Sequence, residues 1–415
     1  MSFAVFVRDN IRWLGGGFLL TLFSTFGQTI FISLSAGEIR AEYGLSNGEW
    51  GAVYMTGTLA SALTLPYLGQ IVDRYSVRTV VLVVTAMLAV AALSMALSTH
   101  VAFLVLAIYL LRLFGQGMLP HTAYTATARW FSAQRGKALS LVILGHNAGD
   151  AIFTTTFVLL AAAMGWRNGW LLAAGLVLLV ALPAGSALVA RERVPAKPEI
   201  NPRVVDARDW TRAEVLRDPV FYLAMLGVMA PGFIVTVVFF HQVYLVELRG
   251  WSLGVFASAF VVWATVNSVF TLISGQLIDR FSGVALLPFV LLPLGAACLV
   301  LGFVAAPWAP FAFMALVGMS NGLSTTLFGA VWPEIYGLKH LGAIRAVVVS
   351  AGVFASAAGP GITGYLIDAG VDYPAQVVTM GCYCLLISLV MLYVSNRVRG
   401  RTTLPLQDSL TLPRP

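Results

Sequence analysis

Apolar residues run along this chain in long stretches separated by short polar segments. Stretches long enough to cross ~30 Å of hydrocarbon as a helix, about twenty residues each, occupy 13–36, 49–71, 79–98, 102–128, 137–161 and 168–190. A polar segment, 191–217, follows. Six more apolar stretches then appear at 219–246, 254–278, 284–304, 308–332, 344–367 and 374–395. The pattern predicts an all-α membrane protein of twelve transmembrane helices in two six-helix bundles, 1–190 and 218–397. Residues 191–217 form the connector between them, and 398–415 form a tail. Helices are numbered 1 to 12 in this order.

An internal repeat supports the division. Gly69-Gln70-Ile71-Val72-Asp73-Arg74-Tyr75-Ser76 returns 206 residues later as Gly275-Gln276-Leu277-Ile278-Asp279-Arg280-Phe281-Ser282, with five of eight positions identical. Each copy follows one apolar stretch and precedes another. Two homologous halves that carry the same loop on the same side explain this most simply.

Composition agrees with a membrane setting. Only 10% of the 415 residues are charged and 59% are hydrophobic, where a soluble protein carries roughly 25% charged residues. Of the 25 Lys and Arg residues, 21 fall on one side of the twelve stretches and three on the other, with Arg112 inside a stretch. This asymmetry places both termini in the cytoplasm, in a bacterial inner (plasma) membrane. The first apolar run is too long for a separate signal peptide. Cys298, Cys382 and Cys384 all lie in apolar stretches, so neither a disulfide framework nor a zinc site is expected. The net charge of +7 does not imply nucleic acid, because the connector mixes seven basic residues with nearly as many acidic ones. A short amphipathic helix near Asp206–Leu216 is expected there.

The repeated loop resembles the signature between helices 2 and 3 of the major facilitator superfamily, through Gly69, Asp73, Arg74 and Arg78 in the first copy and Gly275, Asp279 and Arg280 in the second. Ser76 and Val77 depart from that signature, and the second copy has no counterpart of Arg78. Arg112-Leu113-Phe114-Gly115-Gln116-Gly117 in helix 4 and Trp130-Phe131 with Arg135-Gly136-Lys137-Ala138 after it are also similar to the superfamily. Glu334-Ile335-Tyr336-Gly337 with Lys339-His340-Leu341-Gly342, and Phe240-His241-Gln242, resemble in part the branch of monocarboxylate and oxalate/formate carriers. The resemblance implies secondary transport by alternating access, with the repeated loops as gate residues and helices 1, 4, 7 and 10 around a central cavity. Gln28, lying in a helix 1 stripe with Thr21, Ser24, Thr25 and Ser35, and Asn321 of helix 10 suit that lining. So do His241, after a bend allowed by Pro231-Gly232, and Asn267 of helix 8.

Helix 5 departs from the family antiporters. It reads Gly145-His146-Asn147-Ala148-Gly149-Asp150, with an aspartate where they carry proline. A carboxylate at membrane depth costs about 2.5–3.5 kcal/mol on insertion scales, so it needs a partner or a function. Arg112 lies ten residues into helix 4, about 15 Å deep, and His146 lies nine residues from Lys137, about 14 Å deep from the other side. Helices adjacent in sequence are usually neighbours. A cluster of Arg112, His146 and Asp150, with Asn147 beside it, is therefore expected to bind substrate and proton, the alternative being a structural ion pair. Gln116 of the helix 4 element is a further binding candidate.

The expected function is movement of a small organic solute, an organic anion such as a carboxylate, driven by a proton or solute gradient. The chain carries no Walker-type phosphate loop and no sign of a cofactor. The expected partners are the solute, protons and the lipid bilayer, with no nucleic acid, and the chain is expected to act as a monomer. Proton-coupled efflux of apolar drugs is the alternative within the class. A non-transporting receptor or a membrane enzyme is the alternative outside it. If the first loop is a gate, Asp73→Asn abolishes most transport at unchanged surface abundance. Normal transport rates in that variant mean that the loop only anchors the chain.

Overall fold

The computed structural model describes residues 3–69, 71–131, 135–193, 209–337 and 341–402; within helices, the side chains of Asp73, Asp279 and several residues flanking the loops fall outside the described set. The described chain is helical throughout, without strands. Helix 1 comprises Phe3–Phe23, Ser24–Gly27, Thr29–Ile32, Ser33–Ser35 and Ala36–Tyr43. Helix 2 is Asn47–Leu68 and helix 3 Val77–Ala96. Helix 4 is Val101–Leu110, a π-helical segment Leu111–Met118, and Leu119–Trp130. Helix 5 is Arg135–Met164, and helix 6 runs through Trp166–Leu176, Val177–Ala181 and Leu182–Leu188. Helix 7 is Pro219–Phe240 continued by Gln242–Arg249, and helix 8 is Leu253–Phe281. Helix 9 contains Gly283–Leu286, Leu287–Phe289 and Leu292–Phe303. Helices 10, 11 and 12 are Ala309–Tyr336, Leu341–Asp368 and Tyr373–Thr402.

Ten of these are long and apolar enough to cross a membrane, and helix 1, bent by 44° at its break, makes eleven. Helix 2 has the length, 22 residues, but Thr56, Thr58, Ser61 and Thr64 lower its hydropathy. Local signals account for the helix starts. Ser46 and Glu49 form a reciprocal capping box ahead of helix 2. Ser76 caps helix 3, and Asp218 caps helix 7 just before Pro219. Helix 7 runs without interruption through Pro231-Gly232, where a bend was allowed, and is interrupted at His241. Most of the connector lies outside the described residues. Its described part forms one helical turn, Arg212–Val215, closed by Thr211 and Glu214.

The buried apolar residues form two clusters. One spans Phe6 to Val189 and takes in Phe240 from helix 7. The other spans Val215 to Val398 and takes in Ile30 from helix 1. The packing repeats between them: helices 1 and 5, 3 and 6, and 2 and 4 pair in the first as 7 and 11, 9 and 12, and 8 and 10 do in the second. Between the clusters, helix 2 meets helix 11, helix 5 meets helix 8, and helix 1 meets helix 7.

Direction along the membrane normal follows from hydrogen bonds. Asn267 donates to Asn147 and Thr155 donates to the Ala257 carbonyl, so helices 5 and 8 run antiparallel. Tracing the chain from helix 5 back to helix 2 then puts Gly69–Arg74 and Gly275–Arg280 at the same end of the molecule. We call this end the motif face.

Helix 5 crosses helix 1 at backbone contact distance. A Cβ on Gly145 would overlap the Phe18 carbonyl, and one on Gly149 would overlap the Leu22 carbonyl and the Thr25 hydroxyl. Two glycines four residues apart open such a crossing. Overpacking of this kind costs about 1–3 kcal/mol. Gly149→Ala should therefore lower the melting temperature of the purified protein by several degrees, whereas Gly175→Ala, with nothing within 4 Å of the added carbon, should not. Equal melting temperatures contradict the crossing.

Candidate functional site

The break in helix 1 organises the polar residues at mid-depth. Ser24–Gly27 form a short 3-10 turn, and Gln28 is extended at φ −80°, ψ 151°. The Gly27 carbonyl is left outside the helical ladder. Gly27 sits against the π-helical segment of helix 4, where a Cβ would lie 2.5 Å from the Gln116 nitrogen and 2.6 Å from the Gly115 Cα. The missing side chain lets the two backbones touch. The extra residue per turn in helix 4 carries Arg112 to the break.

Arg112 Nη1 donates to Thr29 Oγ1 at 3.1 Å and reaches the Gly27 carbonyl at 3.5 Å. The Thr29 hydroxyl shares a short hydrogen bond with Tyr54, and the guanidinium lies 5.4 Å from the Tyr54 ring centroid. Arg112 is only 3% exposed. Its Nε has no partner, and no described carboxylate lies within ion-pair distance.

Asp150 sits on the other side of the break. It accepts from Thr25 Oγ1 at 2.8 Å and lies 3.6 Å from His146 Nε2, and its side chain is 3% exposed. The other ring nitrogen of His146 is 3.2 Å from Ser24 Oγ. The structure therefore does not bring Arg112 together with Asp150 or His146. The Gly145/Gly149 crossing presses helix 5 onto helix 1, and helix 1 stands between the arginine and the aspartate.

The third side chain of the helix 5 motif faces the other half. Asn147 donates to Ser268 at 2.8 Å and accepts from Asn267 at 2.9 Å, and Asn321 donates to Asn267 at 3.3 Å. The structure thus brings Asn147, Asn267 and Asn321 together as one chain across helices 5, 8 and 10, separate from Arg112. His241 does not enter a cavity. It is buried, with Nε2 3.0 Å from Thr363 Oγ1 and 3.3 Å from the Pro360 carbonyl, because the interruption of helix 7 turns it toward helix 11. Gln28 and Gln116 are half-buried, and neither side-chain amide has a hydrogen-bond partner.

Arg112 and Gln116 line a cavity of about 780 Å³ bounded by helices 2, 4 and 11. Its lining runs from Thr58 and Ser356 at mid-depth to Tyr67 and Val349 near the motif face, so it opens in that direction. The opposite face is closed. Ser33 donates to the Phe239 carbonyl at 2.6 Å. Gln242 donates to the Ile30 carbonyl and to Ser33 at 2.9 and 2.8 Å. Asp368, at the end of helix 11, accepts from the Asn47 and Gly48 backbone nitrogens at 3.1 and 2.7 Å. A carboxylate from one half thus caps the first turn of a helix in the other.

Of the gate candidates, Arg74, Arg78 and Arg280 are exposed, and Arg280 lies over the Phe281 ring. Gly69 is buried, its carbonyl 3.3 Å from His121 Nε2, and Gly275 is half-buried. The carboxylates of Asp73 and Asp279 lie outside the described side chains. Sequence reasoning missed Thr29, Tyr54, Gln242 and Asp368. The lone Gly27 among the helix 1 hydroxyls was the available sign of the break, and Asp368 stands next to a predicted helix end.

Residues 17–360 match the family model described as Major Facilitator Superfamily. Two solved structures share the fold, both of a bacterial homolog of the human lysosomal transporter Spinster. Its inward-facing, unoccupied form superposes with a TM-score of 0.72 at 15% identity, covering 94% of this chain and 97% of that one. Its inward-facing, occupied form gives 0.68 at 16% identity, covering 95% and 97%. No curated protein sequence matches the chain.

The Asp368 cap has a measurable consequence. Hydrogen bonds to a charged group contribute about 1.5–3 kcal/mol, and a shift of 1–2 kcal/mol changes a population roughly 5–30-fold. In a background without the three native cysteines, a cysteine at Ser33 should react at least about fivefold faster with a maleimide applied from the closed face when Asp368 is also alanine. Unchanged labelling means the cap does not hold that face shut.

Proposed function

We propose, from the premise that the chain belongs to the major facilitator superfamily, that this secondary transporter carries a small organic anion coupled to protons. It is not an enzyme, and its helices make it an integral membrane protein. The observation that carries the anion reading is Arg112, a cation 3% exposed, lining the cavity and lacking any described counter-ion. Burial of an ion costs several kcal/mol. The Thr29 hydroxyl, the distant Gly27 carbonyl and the Tyr54 ring offset part of that. An incoming carboxylate can accept from the guanidinium and supply the missing charge, with the paired geometry that guanidinium favours.

We infer that Asp150 with His146 holds the coupling proton. In the charged form, Asp150 accepts the Thr25 hydroxyl. A proton on it removes that charge and turns one oxygen into a donor, which changes its hold on the break. The same five-residue interruption anchors Arg112 through Gly27 and Thr29. Anion and proton would therefore act on one mobile segment without touching each other. Gln116, which lines the cavity beside Arg112, would complete the solute contacts, whereas Gln28 is not among the described lining residues.

In this reading residues 1–190 and 218–397 move as two bodies joined by 191–217, with 398–415 as a tail, and the Asn147–Asn267–Asn321 chain lies at their pivot. When the motif face closes, Asp73 and Asp279 would each meet a helix N-terminus or a basic side chain across the seam. Asp368 makes a contact of that kind on the opposite face. The arginine and lysine bias supports a cytoplasmic motif face and cytoplasmic termini in a bacterial inner membrane. We propose a monomer as the working unit.

In proteoliposomes, Arg112→Gln should reduce organic-anion uptake at least tenfold while the protein still folds, and Arg112→Lys should retain a part of it. Asp150→Asn should lose pH-driven accumulation and keep exchange of substrate for substrate. Full pH-driven accumulation by Asp150→Asn refutes the proton assignment, and full uptake by Arg112→Gln refutes the anion assignment.

A further inference from the structure

The cavity is chemically lopsided. Thr58 is eleven residues from the start of helix 2, Arg112 eleven residues into helix 4, and Ser356 twelve residues from the end of helix 11. All three helix ends lie at the closed face, so the three residues share a depth of about 16–18 Å. They form the floor. Gln116 lies one turn above Arg112. From there to the mouth, Leu63, Tyr67, Val349, Val353 and Phe354 form the walls, and the span from Thr58 to Tyr67 along helix 2 is about 14 Å.

Hydroxyls among the walls are mostly used within the protein. Ser61 Oγ donates to the Thr58 carbonyl at 2.7 Å, and Ser356 Oγ shares a 3.0 Å bond with Thr236. Arg112 Nε and the Thr58 hydroxyl are buried at this level without partners, and the Gln116 amide lies just above. Arg112 is the only charged residue among the described lining. Several of the wall side chains are large, apolar and open to the space: Leu63 is 74% exposed, and Val349 and Phe354 are 60% exposed.

We propose that the solute is an amphiphilic monoanion. It would bear a single carboxylate or comparable head on an alkyl or aromatic body, with the head on Arg112 and the body along the slot between helices 2 and 11. This rests on the reading of Arg112 as the anion receptor. A dianion would bring a second charge to a site with one cation. A polyhydroxylated solute would leave its hydroxyls unpaired against the walls. An apolar body exchanges water for side chains along the whole length of the slot.

The test is titration of the full-length protein in lipid nanodiscs with straight-chain monocarboxylates from butyrate to decanoate, their methyl esters, and succinate, with binding to empty nanodiscs subtracted. Affinity should rise roughly fourfold per methylene until the slot is filled. Each ester should bind at least tenfold more weakly than its acid, and succinate more weakly than hexanoate. Leu63→Asn with Val353→Asn should flatten the chain-length dependence. If carboxylates beat esters but affinity does not depend on chain length, or succinate binds best, the amphiphile proposal falls and the anion reading stands. If esters bind as well as acids, or Arg112→Gln leaves the acid preference intact, the anion reading itself fails. No binding by any acid overturns both.

Discussion

The polar architecture of this protein depends on one backbone event, the interruption of helix 1 between Phe23 and Thr29. An intact helix would keep the Gly27 carbonyl in its own ladder, with one of its two lone pairs already engaged. The interruption exists because Gly27 has no side chain and helix 4 brings its π-helical segment to backbone contact there. Irregular backbone at membrane depth is tolerated only where protein or a cavity satisfies it. Here Arg112 does so from one side, while Thr25 and Ser24 turn their hydroxyls to Asp150 and His146 on the other.

That separation decides between two ways of burying charge. A direct Arg112–Asp150 pair would neutralise both and leave neither available. With helix 1 between them, Asp150 has a histidine and a hydroxyl, whereas Arg112 has neutral partners only. Hydrogen bonds from a charged donor contribute about 1.5–3 kcal/mol each and a cation–π contact about 0.5–2 kcal/mol. These soften a desolvation cost of several kcal/mol without replacing a counter-ion. The proposed anion site rests on this imbalance.

Much of the fold was legible from the apolar runs and the repeated Gly-x-x-x-Asp-Arg loop, including the shared face of its two copies. Arg112, Asp150 and His146 were also legible as a mid-depth set, because helical rise fixes depth. Lateral position was not legible. Chain order suggested that helix 4 would meet helix 5 at that depth, but Gly145 and Gly149 carry helix 5 onto helix 1. Depth counting treats every helix as straight, so it did not show the π-helical segment or the break. His241 read as a cavity residue because the resemblance puts helix 7 around a central cavity. The packing of helix 7 on the Pro360 carbonyl turned it inward.

The central claim is that the Arg112 guanidinium waits for an anion at the helix 1 break. The most direct test is an experimental structure of the protein with a transported carboxylate bound. A carboxylate oxygen should lie within hydrogen-bond distance of the Arg112 guanidinium, on the cavity side of the break. A carboxylate bound elsewhere, with Arg112 still held by Thr29 alone, contradicts this reading.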